Sequence, residues 1–278
     1  MVTSHEYKIM LKADQFQGDR DALLERVERF WDDFTKAITP IVIDVDGELN
    51  EVKKERHIQF YDTDEPYRLR INHYVFRERI EIENNQRKQR EVTLKFRHRD
   101  QDIARDRYMG VAADKEGETK FEEDIKIPFE RLYSYSTKQD IGKDKKLNRM
   151  DDPVGLYPGL AEKLNQYKSD EAIRPVHGNK AHELVIQGDN KPEFRVDRNP
   201  NIDCECALIV WYKAGDQMTN PLLVEFSFKY EERGGYSGTA SQRAEDVFEI
   251  LQGKQMEKWV NLKGITKTAF MYSQKFED

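Results

Sequence analysis

The 278-residue sequence has only two cysteines and no apolar run that approaches the length of a membrane span. Cys204 and Cys206 lie two residues apart, on one face of a predicted strand, so they do not form a disulfide framework. A membrane helix needs about 20 apolar residues, and the N-terminus lacks the apolar core of a signal peptide. These absences argue against a disulfide scaffold and a membrane partner, and we expect a cytoplasmic protein.

The sequence also lacks an excess of positive charge. Its 46 Lys and Arg residues are outnumbered by 53 Asp and Glu residues, so the net charge is -7. General nucleic-acid binding needs a basic footprint, and this composition argues against it. An acidic total still allows a local basic pocket, and the 14 Phe and 13 Tyr residues are enough to build a core.

Residues 61–97 predict successive strands that have one cationic face and one apolar face. Side chains alternate between the two faces of a strand, so Arg77 and Arg79 share a face, as Lys95 and Arg97 do in a later strand. A half-buried sheet with a solvated second face would show the same local pattern. Repetition of the pattern elsewhere in the chain decides between this reading and a charged interior.

The same division of faces recurs in at least five predicted strands, which begin near residues 6, 75, 93, 120 and 222. Apolar residues at helical spacing predict amphipathic helices at 19–38 and 241–262. The remaining predicted strands are near 57–61 and at 183–187, 193–197, 204–213 and 268–272. A sheet that closes on itself can turn its charged faces inward while helices cover its apolar faces outside.

An interior lined by cations predicts a bound anion, because the like charges repel one another unless an anion offsets them. Carboxylates of Glu6, Glu122, Asp124 and Glu225 belong to the same lining, and hard oxygen ligands of this kind hold divalent cations. Cations that clamp phosphate oxygens, beside carboxylates that hold a metal, make a workable site for phosphoryl transfer.

Residues 4–8 read Ser-His-Glu-Tyr-Lys, and several short charged motifs follow them along the chain. In these motifs the sequence resembles the CYTH, or triphosphate tunnel, superfamily, which includes inorganic triphosphatases, thiamine triphosphatases and one class of bacterial adenylate cyclases. Residues 4–8 match the second Glu and the Lys of the family's E-x-E-x-K motif. The further matches, in the family's order, are Tyr61-Asp62-Thr63, the R-x-R of Arg77 and Arg79, the T-x-K of Thr93 and Lys95, residues 120–124 for the R-x-E-x-E strand, and residues 225–227 for the late E-x-E strand.

The resemblance implies an α+β fold, in which a closed antiparallel eight-stranded β-barrel forms a tunnel with a polar, charged interior and helices packed outside. Residues 1–278 would form a single domain, with an insertion of helices and loops at about 128–180. The implied ligand is a small-molecule triphosphate, and the implied cofactor is Mg²⁺ or Mn²⁺. Both a monomer and a homodimer remain open.

The resemblance also implies roles for individual residues. The catalytic residues would be Lys8, Arg77, Arg79 and Lys95. The triphosphate would be bound by these four and by Lys12, Arg97, Lys120, Arg195 and Lys229. The metal would be held by Glu6, Glu122, Asp124 and Glu225. A metal-positioned water would attack the terminal phosphorus of tripolyphosphate, a nucleoside triphosphate or thiamine triphosphate, and the cations would stabilise the charge that develops.

Two departures from the family pattern leave alternatives open. Ser4 replaces the first Glu and Ser227 replaces the last Glu, and a hydroxyl is a poorer ligand for a hard cation than a carboxylate. A non-catalytic module that binds a nucleotide or polyphosphate is therefore the first alternative. The second is a barrel for a lipid or apolar ligand, with its cationic faces toward solvent and Phe and Tyr lining the tunnel.

Overall fold

One twelve-stranded sheet organises the computed structural model, which describes residues 2–84, 86–164, 167–232 and 238–276. The strands are β1 (Ser4–Leu11), β2 (Asp44–Asp46), β3 (Glu51–Asp62), β4 (Tyr74–Glu83), β5 (Gln86–His98), β6 (Glu118–Lys126), β7 (Glu130–Asp140), β8 (Arg174–Pro175), β9 (Ala181–Gln187), β10 (Glu193–Arg198), β11 (Asn201–Lys213) and β12 (Leu223–Glu231). The α-helices are α1 (Arg20–Ile38), α2 (Arg68–Ile71), α3 (Gln101–Arg105), α4 (Asp151–Leu156), α5 (Gly159–Lys163), α6 (Gly238–Gln252) and α7 (Lys267–Ser273). Short 3-10 turns cover Ala13–Phe16, Val176–Gly178 and Lys254–Met256.

Nine of the strands close into a barrel, in the order β12-β1-β6-β7-β5-β4-β3-β9-β11 and back to β12. Strands β10 and β2 continue the sheet beyond β11, and β8 pairs with β3. The predicted barrel of eight antiparallel strands is therefore wrong in number and in direction, because the β1–β6 pair is parallel. The prediction of an α+β fold with helices outside a closed barrel is confirmed.

Strand β7 is the barrel strand that the sequence analysis did not anticipate. It lies within 128–180, which the sequence predicts as helices and loops, and it forms a hairpin with β6. Its outer face carries Tyr133 and Tyr135, and its inner face carries Ser134 and Ser136. Small hydroxyl side chains make a weak alternation signal, which is why this strand is hard to recognise from its sequence.

Helix α1 covers the apolar outer faces of the second half of the barrel. The Asp19 carboxylate accepts a hydrogen bond from the Ala22 backbone N–H at 3.0 Å and so caps the helix N-terminus. Phe30 and Phe34 lie on the buried side of α1, and their rings contact Phe226 of β12 at centroid distances of 5.1 and 4.9 Å. This packing leaves the charged faces of the same strands to line the interior.

Helix α7 lies where the sequence predicts a final strand at 268–272, and that prediction is wrong. The Thr266 hydroxyl accepts a hydrogen bond from the Ala269 N–H at 3.2 Å, which caps a helix rather than continuing a strand. Met271 and Tyr272 are buried in a cluster that also contains Phe60 and Trp211 of the barrel. The C-terminal helix is thereby held against the barrel wall.

The shorter helices α2–α5 contribute side chains to a second apolar cluster, in which they pack against the outer faces of β4, β5 and β7. The Tyr157 hydroxyl joins the two layers, since it donates to the backbone carbonyls of Val92 and Thr137 at 3.0 Å each. Among the residues that the structure describes, no helix has both the length and the apolar content that a membrane span requires.

Replacing Phe34 by Ala tests the packing of α1 on the barrel. The Phe34 side chain is fully buried among aromatic rings, so we expect the substitution to lower the free energy of unfolding by about 3–5 kcal/mol. Urea denaturation followed by circular dichroism measures the loss. Phe129→Ala is the matched control, because the Phe129 side chain is 39% exposed and its removal should cost much less. Equal losses for the two variants would contradict this packing.

Candidate functional site

The interior of the barrel holds a cavity of about 290 Å³ whose lining is rich in charged groups. Nine Lys and Arg side chains and five carboxylates line it, so its charge is positive although the whole chain is acidic. The cations are Lys8, Arg77, Arg79, Lys95, Arg97, Lys120, Lys126, Lys138 and Lys267. The carboxylates are Glu6, Glu118, Glu122, Asp124 and Glu225. The charged faces of the strands therefore face one another across the interior of the barrel.

Strand register brings the acidic groups of β1 and β6 together. In this parallel pair Ser4 lies beside Glu122, and Glu6 lies beside Asp124. Ligand oxygens of Glu6, Glu122 and Asp124 all lie within 4.8 Å of one another, a cluster that we call the carboxylate trio. Three carboxylates at this spacing match the oxygen donors that Mg²⁺ and Mn²⁺ prefer, so the trio is chemically suited to a divalent cation.

Lys8 lies between two members of the carboxylate trio. Its Nζ is 2.7 Å from the Glu6 carboxylate and 2.6 Å from the Asp124 carboxylate. Burial opposes a charged Lys8, but Asp124, Glu6 and Glu225 outweigh it and raise the pKa of the Lys8 ammonium. Lys8 therefore stays cationic and supplies part of the positive charge that the trio requires.

Asp124 is the most heavily engaged acid in the cavity. Besides Lys8, its carboxylate has Lys95 Nζ and Arg97 Nε within 3.5 Å, and the Ser134 hydroxyl donates to it. Burial opposes ionisation, yet Lys8, Lys95 and Arg97 outweigh it and hold the pKa of Asp124 well below its usual range. The carboxylate is thus fixed in its ionised form.

Lys95 has the opposite balance of forces. It lies 3.7 Å from Glu122 and 3.5 Å from Asp124. Burial, together with the nearby charges of Arg97 and Lys8, lowers the pKa of Lys95 to about 8 in spite of those carboxylates. The charged form of Lys95 is therefore only weakly stabilised, and an additional anion in the cavity would stabilise it further.

Arg77 and Arg79 line another part of the cavity, on the inner face of β4. The Nε atoms of both are buried without an acceptor among the described residues, and no described carboxylate forms an ion pair with Arg77. Burial and the charges of Arg79 and Arg56 lower the pKa of Arg77. The neighbouring acid Glu183 is already paired with Arg56 and accepts a hydrogen bond from Trp211 at 2.8 Å. This part of the cavity has positive charge that the described protein groups do not neutralise.

Most of the predicted site residues lie at the cavity, but three predicted anion ligands do not line it. Lys12 donates to the Glu257 backbone carbonyl at 2.6 Å, and Arg195, on β10 outside the barrel, pairs with Asp203 at 2.8 Å. Lys229 lies on the inner face of β12 opposite Glu6, beyond the lining of the cavity. Sequence alternation gave no sign of these differences, because it specifies the face of a strand but neither which strands enclose the cavity nor how far along them the cavity extends.

Glu225 also lies apart from the predicted metal ligands. It lines the cavity, but its carboxylate pairs with Lys267 Nζ at 2.8 Å and is not a member of the trio. Ser4, which stands in place of the family's first Glu, contacts the trio through a long hydrogen bond from its hydroxyl to Glu122, at 3.4 Å. Ser227 is the register partner of Lys8.

Sequence reasoning missed the cavity residues that come from α7 and β7. Lys267 and Thr268 reach the cavity from α7, and the Thr268 hydroxyl accepts a hydrogen bond from Arg97 at 3.1 Å. Ser136 and Lys138 line the cavity from the unrecognised strand β7, whose Ser134 donates to Asp124. A signal was available for Lys126, which follows Glu122 and Asp124 on the same face of β6.

The inward direction of the charged faces contradicts the predicted alternative of a barrel for an apolar ligand. In that alternative the cationic faces would meet solvent and Phe and Tyr would line the tunnel. Among the described residues, Phe60 is the sole Phe or Tyr in the lining, and the other large apolar groups are Leu132, Ile209 and Trp211. The cavity suits a small, highly charged anion.

No protein-family model and no curated protein matches the sequence. Among solved structures, the chain is similar to a proposed adenylyl cyclase from Hippeastrum that is reported to have a dominant triphosphatase activity. Sequence identity is 12%, coverage is 99% of this chain and 98% of the other, and the TM-score is 0.47.

Two further structures are similar over most of their length. One is a proposed adenylate cyclase from Bacillus halodurans, with 12% identity, coverage of 90% and 91%, and a TM-score of 0.37. The other is protein PH1819 from Pyrococcus horikoshii OT3, with 12% identity, coverage of 92% for both chains and a TM-score of 0.31. A closed barrel with a charged interior is what the resemblance of the motifs to the triphosphate tunnel superfamily predicts.

Proposed function

We propose that the chain binds a triphosphate-containing anion in the barrel and hydrolyses its terminal phosphoanhydride bond with the help of Mg²⁺ or Mn²⁺. The observation that carries the proposal is the half-buried Arg77 side chain in the cavity lining, whose buried Nε has no acceptor among the described residues. Leaving a buried charge without a partner is costly, and an anionic ligand removes that cost. Phosphate oxygens fit this arrangement, because guanidinium groups bind them through two parallel hydrogen bonds.

The cations and the carboxylates have separate tasks in this proposal. Arg77 and Arg79 would bind and orient the phosphate chain, while Lys95 and Arg97 would hold the end of the chain nearest the carboxylate trio. Because these groups lie on rigid strands, they are already placed where negative charge develops in the transition state. The excess of positive charge in the cavity favours an anion with several negative charges over a single phosphate.

The carboxylate trio would hold the divalent cation. A cation bound there supplies a Lewis acid for a phosphoryl oxygen and lowers the pKa of a coordinated water. Lys95 and Arg97 would align the reacting end of the ligand beside the trio, and Ser134 would keep the Asp124 carboxylate in place through its hydrogen bond. Lys8 would move its ammonium from the trio to a phosphate oxygen. The divalent cation would then replace the positive charge of Lys8 beside the carboxylates, and the ammonium would offset negative charge of the phosphate.

A binding module without turnover is the second candidate function. Ser4 and Ser227 occupy the places of two family carboxylates, so the trio has fewer oxygen ligands to offer a metal. The module would bind the same anion through the same cations. Phosphate release separates the two functions. Both predict thermal stabilisation by the ligand, but only the hydrolase releases phosphate.

The first test is phosphate release from tripolyphosphate, ATP and thiamine triphosphate with Mg²⁺ and Mn²⁺. We expect at least one substrate to be hydrolysed, and Arg77→Ala to lower kcat/KM by about 10²–10³-fold through lost transition-state stabilisation. Arg29→Ala is the matched control, because the Arg29 side chain on α1 is 68% exposed and should leave activity unchanged.

The outcomes of this test differ for the two candidate functions. If the ligand stabilises the parent protein but not Arg77→Ala, and no phosphate is released, the result would support the binding module and contradict the hydrolase. Release that survives in Arg77→Ala would contradict the assignment of the site. Melting temperatures of the free variants check that the substitutions leave the fold intact.

The second test measures Mn²⁺ binding directly, by electron paramagnetic resonance of the free ion without any phosphate. Glu122→Gln removes one charged ligand of the trio, and we expect roughly tenfold weaker binding. Lys8→Met should have the opposite effect and bind Mn²⁺ more tightly, because it removes a cation that lies against Glu6 and Asp124.

Glu118→Gln is the control for the Mn²⁺ measurement. Glu118 also lines the cavity, but it pairs with Lys120 and Lys138 and lies outside the trio. We expect its substitution to leave Mn²⁺ affinity nearly unchanged. Weaker binding in Lys8→Met than in the parent protein would refute the competition between the ammonium and the metal.

A further inference from the structure

A second cavity of about 320 Å³ adjoins the charged one. Lys8, Lys126, Glu225 and Thr266 line both cavities, so the two cavities meet at these four residues. We call this second cavity the side pocket. It lies between the ends of β1 and β6 and the segment that leads into α7.

The side pocket differs from the charged cavity in the chemistry of its lining. Five aliphatic or thioether side chains contribute to it, namely Met10, Ile127, Leu262, Ile265 and Ala269. Leu262 is 53% exposed and Ile265 is 47% exposed, which places both among the most exposed large apolar side chains of the described residues. Exposed apolar groups beside a cavity are typical of a surface that a ligand covers.

The wall of the side pocket is built before any ligand arrives. The Asn261 N–H donates to the Met10 carbonyl at 2.9 Å, and the Lys12 N–H donates to the Trp259 carbonyl at 2.7 Å. Gly264 lies so close to Met10 that a Cβ on it would stand 2.4 Å from the Met10 Cβ. These contacts tie the segment to the end of β1, so the pocket is largely preorganised for binding.

We propose that the side pocket binds the organic substituent of a triphosphate monoester, while the triphosphate itself occupies the charged cavity. This inference rests on the proposed function and narrows its ligand, because tripolyphosphate has no apolar part to cover Leu262 and Ile265. Because Lys8 and Lys126 line both cavities, an organic group in the side pocket would lie next to cations that would bind the phosphates. An organic triphosphate therefore uses both cavities, and an inorganic one uses the charged cavity alone.

The test compares the dissociation constants of ATP and tripolyphosphate, measured by calorimetry in EDTA so that no hydrolysis occurs. The double variant Leu262→Ser/Ile265→Ser removes the apolar lining, and we expect it to weaken ATP by about tenfold relative to tripolyphosphate. Ala269→Leu reduces the volume of the side pocket and should likewise weaken ATP binding relative to tripolyphosphate binding. Ile71→Ser is the control, since Ile71 is 57% exposed and lines neither cavity.

The outcomes separate this inference from the proposed function. A lower ATP preference in both side-pocket variants, with tripolyphosphate affinity unchanged, supports the side pocket. If both ligands bind and their ratio stays the same in every variant, the inference fails and the proposed function stands. If neither ligand binds the parent protein, the proposed function fails and this inference fails with it. Unchanged melting temperatures confirm that the variants remain folded.

Discussion

The constraint on which the rest of the structure depends is charge balance inside a closed barrel. Nine cations and five carboxylates line one cavity, and water screens its buried and half-buried groups less than groups at a surface. The acids are placed where they neutralise cations most effectively, as Asp124 does for Lys8, Lys95 and Arg97. The compensation is incomplete around Arg77, and this local deficit of negative charge is what makes the barrel suitable for an anion.

The helices make this interior possible. A strand whose inner face is charged needs its outer face buried, because polar groups on both faces would leave the sheet without a core. The aromatic contacts of Phe30 and Phe34 with Phe226 supply that burial for β12, whose other face carries Glu225. Strong outer packing can then offset the cost of holding like charges inside, and rigid strands keep those charges in fixed positions.

Most of the charged lining could be predicted from the sequence, because side-chain alternation is local. Alternation put Lys8, Glu122 and Asp124 on the charged faces of their strands, and the family resemblance implied a closed barrel that turns those faces inward. Strand number and pairing could not be predicted, since they depend on contacts between distant segments such as the parallel β1–β6 pair. The role of Lys267 was missed for the same reason, because it enters the cavity from a C-terminal helix.

Ser4 and Ser227 stand where the family that the sequence resembles has carboxylates, so the charge balance around Lys8 depends on the remaining acids. With Ser4 and Ser227 neutral, the trio must balance Lys8, Lys95 and Arg97 with three acids, and little negative charge is left for a divalent cation. An anion that draws Lys8 and Lys95 toward itself frees the same carboxylates for the metal. Binding of the metal and binding of the anion should therefore assist each other, since each neutralises the charge that opposes the other. In this chain the phosphate ligand would thus be part of what completes the metal site.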